Sequence, residues 1–199
     1  MNFLLILLAY LIGGIPFGYI LVKLKTGRDV RTLGSGNIGA TNVVRTSGWS
    51  IGVATLLLDI AKGYLAVWLM ARFGDASAFW LSAAALAVLA GHAFPIFLKF
   101  EGGKAVASFI GAFLYLTPIP LLAVLLVFAI VVAASRYISA GSILAAGTFP
   151  LAVFLILHPE WPVMLASILA AALIVSRHRA NIRRIRAGNE RVFRLGGRK

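Results

Sequence analysis

Long apolar stretches alternate with short polar ones along this chain. Residues 3–22 are uncharged throughout, and a helix needs about 20 mostly apolar residues to cross a hydrocarbon core of about 30 Å. The stretch is too long for the apolar region of a signal peptide and has no basic segment before it, so it is read as a mature spanning helix. The same pattern predicts further spans over residues 49–71, 79–94, 104–116, 118–134, 139–157 and 161–175. The fourth of the seven, 104–116, is about 20 Å long at 1.5 Å per residue and falls short of the core thickness. Seven short-looped spans predict an all-α integral membrane protein, one bundle over residues 1–199.

Charge supplies the orientation. Cytoplasmic loops collect lysine and arginine, and 17 of the 19 cations fall in alternate loops: Lys23, Lys25, Arg28, Arg31 and Arg45, then Lys99 and Lys104, then Arg136, then nine in the tail 177–199. The opposite loops hold Arg72, and Lys62 lies within a span. The N-terminus is therefore expected outside and the basic tail in the cytoplasm. Composition agrees: 61% of the residues are apolar and 13% charged, against about 45–50% and about 25% in soluble domains. The net charge of +13 with basic ends points to a membrane surface rather than to nucleic acid. With no cysteine, disulfides, thiolate metal sites and cysteine nucleophiles are excluded.

Polar groups beside a membrane are costly and mark function. Three polar segments share the expected cytoplasmic face. In the first, residues 33–45, Gly34, Gly36 and Gly39 let the backbone turn tightly with its N–H groups toward a ligand. Ser35, Asn37 and Thr41 add hydrogen-bonding groups there, and Arg45 a fork suited to phosphate. The spacing satisfies G-x-G-x-x-G, but a dinucleotide fold needs a preceding strand, and here a membrane helix precedes. The second segment, residues 91–104, contains His92, a helix-breaking Pro95 and Gly102-Gly103-Lys104 at the start of the short span. There free N–H groups and the positive helix end favour an anion. A P-loop is excluded because Leu98 stands where its first glycine belongs. Lys99 is read as snorkelling to the interface. The third segment, residues 176–190, places His178, Asn181 and Ile185 on one face if the seventh helix runs on; lipid attraction accounts for most of its arginines.

Among the remaining polar residues, Asp59 and Lys62 are three apart and neutralise one another. Ser139 and Ser142 open the sixth span, where capping is the plain reading; Ser142 is kept with the substrate-binding candidates. His158 is read as an outer interface residue, and Glu190 as a partner of tail arginines.

At residues 34–42, 91–95 with 102–104, and 178–182, the chain closely resembles the bacterial acyl-phosphate:glycerol-3-phosphate acyltransferase family, known as PlsY. The motifs occur in order, so the resemblance covers essentially the whole chain. It departs at Glu101, where a basic residue is expected, and at Ala105, which replaces a common glycine. The resemblance implies transfer of a fatty acyl group from acyl phosphate to the sn-1 hydroxyl of glycerol 3-phosphate. The products are lysophosphatidic acid and phosphate, in phospholipid synthesis at the bacterial inner membrane, with the site facing the cytoplasm. No cofactor, metal, nucleic acid or obligate protein partner is implied.

On that reading Arg45 and Lys104 take the substrate phosphates, oriented by Ser35 and Asn37, with Thr41, His92 and Ser142 also at the substrates. Gly102 and Gly103 hold the acyl phosphate through their backbone. Charge on the carbonyl oxygen falls to backbone N–H groups, Ser35 or Asn181. His178 is base or orienter, His92 the lesser candidate, and no carboxylate beside either histidine in sequence orients it. A substrate phosphate is the other candidate base. The His-x4-Asp arrangement of other glycerolipid acyltransferases is absent, as is an aspartate cluster for a metal-dependent phosphatidyltransferase. Two other classes compete: a transporter of organic phosphate, disfavoured because the outer side is nearly bare of polar motifs, and a lipid-binding scaffold.

Overall fold

The computed structural model describes residues 1–193; residues 194–199 of the expected basic tail lie outside the described residues. Among the described residues the regular structure is wholly helical. It forms two compact units, Met1–Leu116 and the remainder from Thr117. The first holds α1 (Asn2–Gly14), α2 (Phe17–Thr26), α3 (Ala40–Ser47), α4 (Trp49–Phe73), α5 (Ala78–Ala93) and α6 (Val106–Leu116). The second holds α7 (Pro118–Ser135), α8 (Ile138–Leu157), α9 (Trp161–Arg177) and α10 (Arg179–Arg186).

Among the described residues five helical stretches are long and apolar enough to cross a membrane: Asn2–Thr26, Trp49–Phe73, Ala78–Leu98, Pro118–Ser135 and Ile138–Leu157. The pair α9 and α10, bent by 57° at its joint, makes a sixth if taken as one span. Helix α6 is apolar but has 11 residues, so the expected shortness of this segment holds. Exposed faces carry side chains that suit lipid, among them Leu57, Leu122, Leu126 and Ile130.

The first span is interrupted where the sequence reading had one helix. Pro16 forces the residue before it out of the helical region, and Ile15 is extended at φ −63°, ψ 113°. A carbonyl freed at membrane depth must find a donor; that of Ile15 accepts from Lys62 Nζ at 2.8 Å. The helices of this unit approach closely through glycine. A Cβ on Gly13 would run into the Val88 carbonyl, one on Gly91 into that of Tyr10, and one on Gly111 into that of Ile60. Such small-residue contacts let α1 pack on α5 and α4 on α6 backbone to backbone.

Candidate active site

The first polar segment folds around Asn42, a residue that the sequence reading did not single out. Asn42 is buried on α3. Its Oδ1 accepts from Ser35 N–H at 2.8 Å, and its Nδ2 donates to the carbonyls of Asn37 at 2.9 Å and Leu33 at 3.1 Å. One side chain thus ties three points of the loop. Gly34 and Gly36 have φ of +58° and +73°, the left-handed region that glycine enters freely. The Asn37 side chain accepts from Gly39 N–H at 2.8 Å and shapes the entry to α3. Thr41 and Arg45, one turn apart, both lie exposed on α3, while Asn42 and Val43 are buried beneath. Ser35 is exposed and Asn37 half-buried. Arg31 engages Asp29 through both Nε and Nη2, at 3.1 and 2.7 Å. That hydrogen bond above all holds the Asp29 carboxyl below its ordinary range. Glu101, the acid found where the family resemblance expects a base, adds smaller support to the charge of Arg31.

The second segment rests on the same support. Leu98 packs in one apolar cluster with Val22, Val30, Ile38 and Val43, so the glycine loop and the second polar segment share a core. After α5 the chain turns sharply. Lys99 and Phe100 are left-handed at φ 54° and 65°, Phe100 N–H donates to the Pro95 carbonyl at 2.9 Å, and Gly103 N–H donates to that of His92 at 3.1 Å. Gly102 and Gly103 lie against the end of α5 with no room for a Cβ: Gly102 would meet the His92 carbonyl and Gly103 the His92 ring. Lys104 is half-buried. Ala105 is left-handed at φ 60°, a conformation that favours the glycine expected there from the family resemblance. Helix α6 then starts at Val106, two residues later than the pattern indicated.

His92 itself is buried. No carboxylate lies beside this histidine in sequence, but in space Asp59 Oδ1 is 3.8 Å from its Nδ1. Asp59 and Lys62 do pair as expected, at 2.7 Å.

In the second unit the third segment is not a continued helix. The chain breaks at His178, φ −98° and ψ 9°, between α9 and α10. His178 and Asn181 are nonetheless both buried, and Ile185 is half-buried. His178 Nδ1 lies 2.7 Å from the Ile174 carbonyl. A carbonyl only accepts, so Nδ1 carries the hydrogen and Nε2 is the basic nitrogen of the neutral ring. Asn181 Nδ2 donates to Glu190 Oε1 at 2.7 Å, and Arg184 Nε to Oε2 at 2.8 Å. Glu190 pairs with a tail arginine as expected. The capping reading of the α8 serines fails: Tyr137 precedes that helix without a side-chain cap. Ser139 instead donates to Glu190 at 3.0 Å, and Ser142 donates to the Ile138 carbonyl at 3.0 Å. His158 closes α8 in a left-handed conformation, its ring 5.7 Å from Phe154.

The structure thus brings Ser35, Asn37, Thr41 and Arg45, with His92, Gly102, Gly103 and Lys104, onto adjoining segments of the first unit, and Ser142, His178 and Asn181 onto the second. Asn42 left a faint sequence signal, an amide inside a short helix beside Val43 and Val44. The reach of Asp59 to His92 left none.

Comparison with known proteins bears on all of these segments. The family model for glycerol-3-phosphate acyltransferase matches residues 3–188. A glycerol-3-phosphate acyltransferase of Geotalea daltonii is 45% identical over 190 residues, 96% of each chain. One of Geobacter sulfurreducens is 44% identical over 187 residues, 94% of each chain. The crystal structure of PlsY, an integral membrane glycerol 3-phosphate acyltransferase, in its glycerol 3-phosphate form superposes with a TM-score of 0.91 at 39% identity, covering 97% of this chain and 96% of that one. Its lysophosphatidic acid form gives 0.87 at 37% identity over 97% and 95%. Likeness of this extent, in sequence and in the path of the chain alike, has one reading: the chain belongs to the glycerol-3-phosphate acyltransferase family.

Proposed function

We propose that this chain transfers a fatty acyl group from acyl phosphate to the sn-1 hydroxyl of glycerol 3-phosphate, yielding lysophosphatidic acid and inorganic phosphate for phospholipid synthesis, without a cofactor. The observation that carries the reading is family membership over residues 3–188. The shared core beneath the two glycine-rich segments supports it, since both substrates carry phosphate. We further read the chain as one domain of seven spans in the bacterial inner membrane. Helix α6 is the short span and α9 with α10 the last; the N-terminus lies outside, and the basic tail and the site face the cytoplasm.

In the reaction the hydroxyl oxygen of glycerol 3-phosphate bonds to the acyl carbon. The bond from that carbon to the phosphate oxygen breaks with its electron pair, and phosphate leaves. The hydroxyl proton passes to a base. Phosphate is a good leaving group, so no acyl-enzyme is needed. Arg45 and Lys104 hold the substrate phosphates; Asn37, Thr41 and Ser142 orient the substrates, and the Gly102-Gly103 backbone receives the acyl phosphate. Charge developing on the carbonyl oxygen is met by backbone N–H groups, Ser35 or Asn181, a role whose loss costs about 10²–10³ in kcat. The base is Nε2 of His178 or a substrate phosphate.

Purified protein given acyl phosphate and glycerol 3-phosphate should form lysophosphatidic acid and release phosphate with no acyl carrier protein or coenzyme A present. Failure to do so, with phosphate-ester flux into liposomes instead, would establish a transporter. Ser35→Ala, Arg45→Ala and Lys104→Ala should each nearly abolish turnover in folded protein.

A further inference from the structure

Deep in the first unit a chain of polar groups runs from the interruption of the first span to the Gly102-Gly103 turn, and the phosphate-binding roles above leave it unused. It consists of Asp59 and Lys62 on α4, His92 on α5 and Ser108 on α6, none more than 4% exposed. Lys62 Nζ lies 2.7 Å from Asp59 Oδ1 and donates to the Ile15 carbonyl at 2.8 Å. The same Asp59 oxygen is 3.8 Å from His92 Nδ1, and Ser108 Oγ is 3.1 Å from that nitrogen.

Ionisable groups at membrane depth are expensive. Neutralising a charge would need only the Asp59–Lys62 pair, and a packing role would be met more cheaply by apolar side chains. The chain does not stop at the pair: it continues to a histidine whose other edge meets the candidate site. The His92 carbonyl accepts from Gly103 N–H at 3.1 Å, and its Nε2 lies so close to the Gly103 α-carbon that a Cβ there would collide with it. One side of the ring is therefore bonded to α6, with the α4 carboxylate beside it at 3.8 Å, and the other is the floor under the turn that precedes Lys104.

We propose that His92 is a positioning residue. Asp59, Lys62 and Ser108 hold its ring, and the ring holds the Gly102-Gly103-Lys104 turn in the shape that receives a substrate phosphate. His92 then acts through the turn rather than by touching substrate, which departs from its place among the substrate-binding residues. The proposal rests on the acyl-transfer reading.

The test is steady-state kinetics of purified full-length protein, with KM for acyl phosphate and for glycerol 3-phosphate measured separately and the unfolding midpoint recorded for each variant. Wild type that forms no lysophosphatidic acid ends the acyl-transfer reading before any variant is compared. With active wild type, His92→Phe should raise KM for one of the two phosphate substrates at least tenfold, leave the other within twofold and lower kcat less than threefold. His92→Asn, whose amide reaches the Nδ1 position beside Ser108 but leaves the ring edge under Gly103 empty, should leave that KM raised at least threefold. Two unchanged KM values would overturn the proposal. So would a hundredfold loss of kcat at unchanged KM, which would put His92 in the chemistry, and so would an equal rise in both KM values, which would mark general loosening. If His92→Phe does not fold, Ser108→Ala decides. It removes one hydroxyl and should raise the same single KM about threefold; no change overturns the proposal.

Discussion

Asn42 ties the glycine loop together through one neutral side chain. Its amide uses both ends, accepting from Ser35 N–H and donating to two loop carbonyls. Asn42→Asp keeps the acceptor but removes the donor to the Asn37 carbonyl, while that of Leu33 still accepts from Gly36 N–H at 2.9 Å; a polar group left unpaired costs about 1–3 kcal/mol. The unfolding midpoint should fall by at least about 2 °C, and turnover should fall although Asn42 touches no substrate in our assignment. An unchanged midpoint would show that the loop holds its shape without the amide. Arg45 poses a different question, since its worth lies in its fork. Arg45→Lys keeps the charge and loses the planar pair of donors. KM for a phosphate substrate should rise about tenfold while the midpoint stays put; wild-type KM would reduce Arg45 to a point charge. The sequence makes Arg45 a candidate because a cation beside glycines has few other uses. It could not show that a neutral amide three residues earlier organises the loop, because burial depends on what packs beneath α3.

At the scale of elements, apolar length located every long helix to within a few residues, from Trp49–Phe73 to Ile138–Leu157. It missed the two interruptions that matter to the site. Pro16 announces one, and the carbonyl it frees is answered by Lys62, 47 residues further on, a partnership that local pattern does not carry. Nothing as plain marks the joint at His178, where a 57° bend separates α9 from α10. Part of the cause lies beyond the joint. Glu190 accepts from Ser139 on α8 and from Asn181 and Arg184 on α10, fastening the segment after α10 to the rest of its unit. Phe193 N–H donating to the Arg136 carbonyl at 2.8 Å fastens it again. Burial alone would raise the Glu190 pKa, but the three donors outweigh it, and the net shift is downward. A carboxyl whose folded pKa is depressed contributes stability above its unfolded value, about 4.3, and that stability is lost as pH falls through the folded value. Unfolding midpoints of wild type and Glu190→Gln should therefore differ most at neutral pH, with the gap shrinking as pH falls from the unfolded value through the lower folded one. A constant gap across that range would show that the ionised form contributes nothing.

For the whole molecule, the positive charge is the most informative single property, because its placement and its chemistry are separable. Of the 19 cations, 17 occupy alternate loops, as retention of cations on the cytoplasmic side requires. Our assignment gives only Arg45 and Lys104 to substrate. Arg31, Lys62 and Arg184 pair with Asp29, Asp59 and Glu190, and we read most of the rest as orienting the chain and meeting anionic lipid at about 1 kcal/mol each. If that division is right, orientation and catalysis respond to different substitutions, and the absence of native cysteine makes the first directly measurable. Single cysteines at three exposed positions, Ser77 between α4 and α5, Thr32 before the glycine loop and Asn189 after α10, report the side of each loop to a membrane-impermeant maleimide. Ser77→Cys should label in cells whose inner membrane is intact. Thr32→Cys and Asn189→Cys should label only after that membrane is opened. Because Thr32 and Asn189 belong to different units, their agreement tests both halves of the orientation at once, and labelling of either in intact cells would reverse the topology for its unit. Arg45→Ala should leave the pattern unchanged while removing turnover, since one cation among five in its loop does little to decide orientation but supplies the only fork assigned to phosphate.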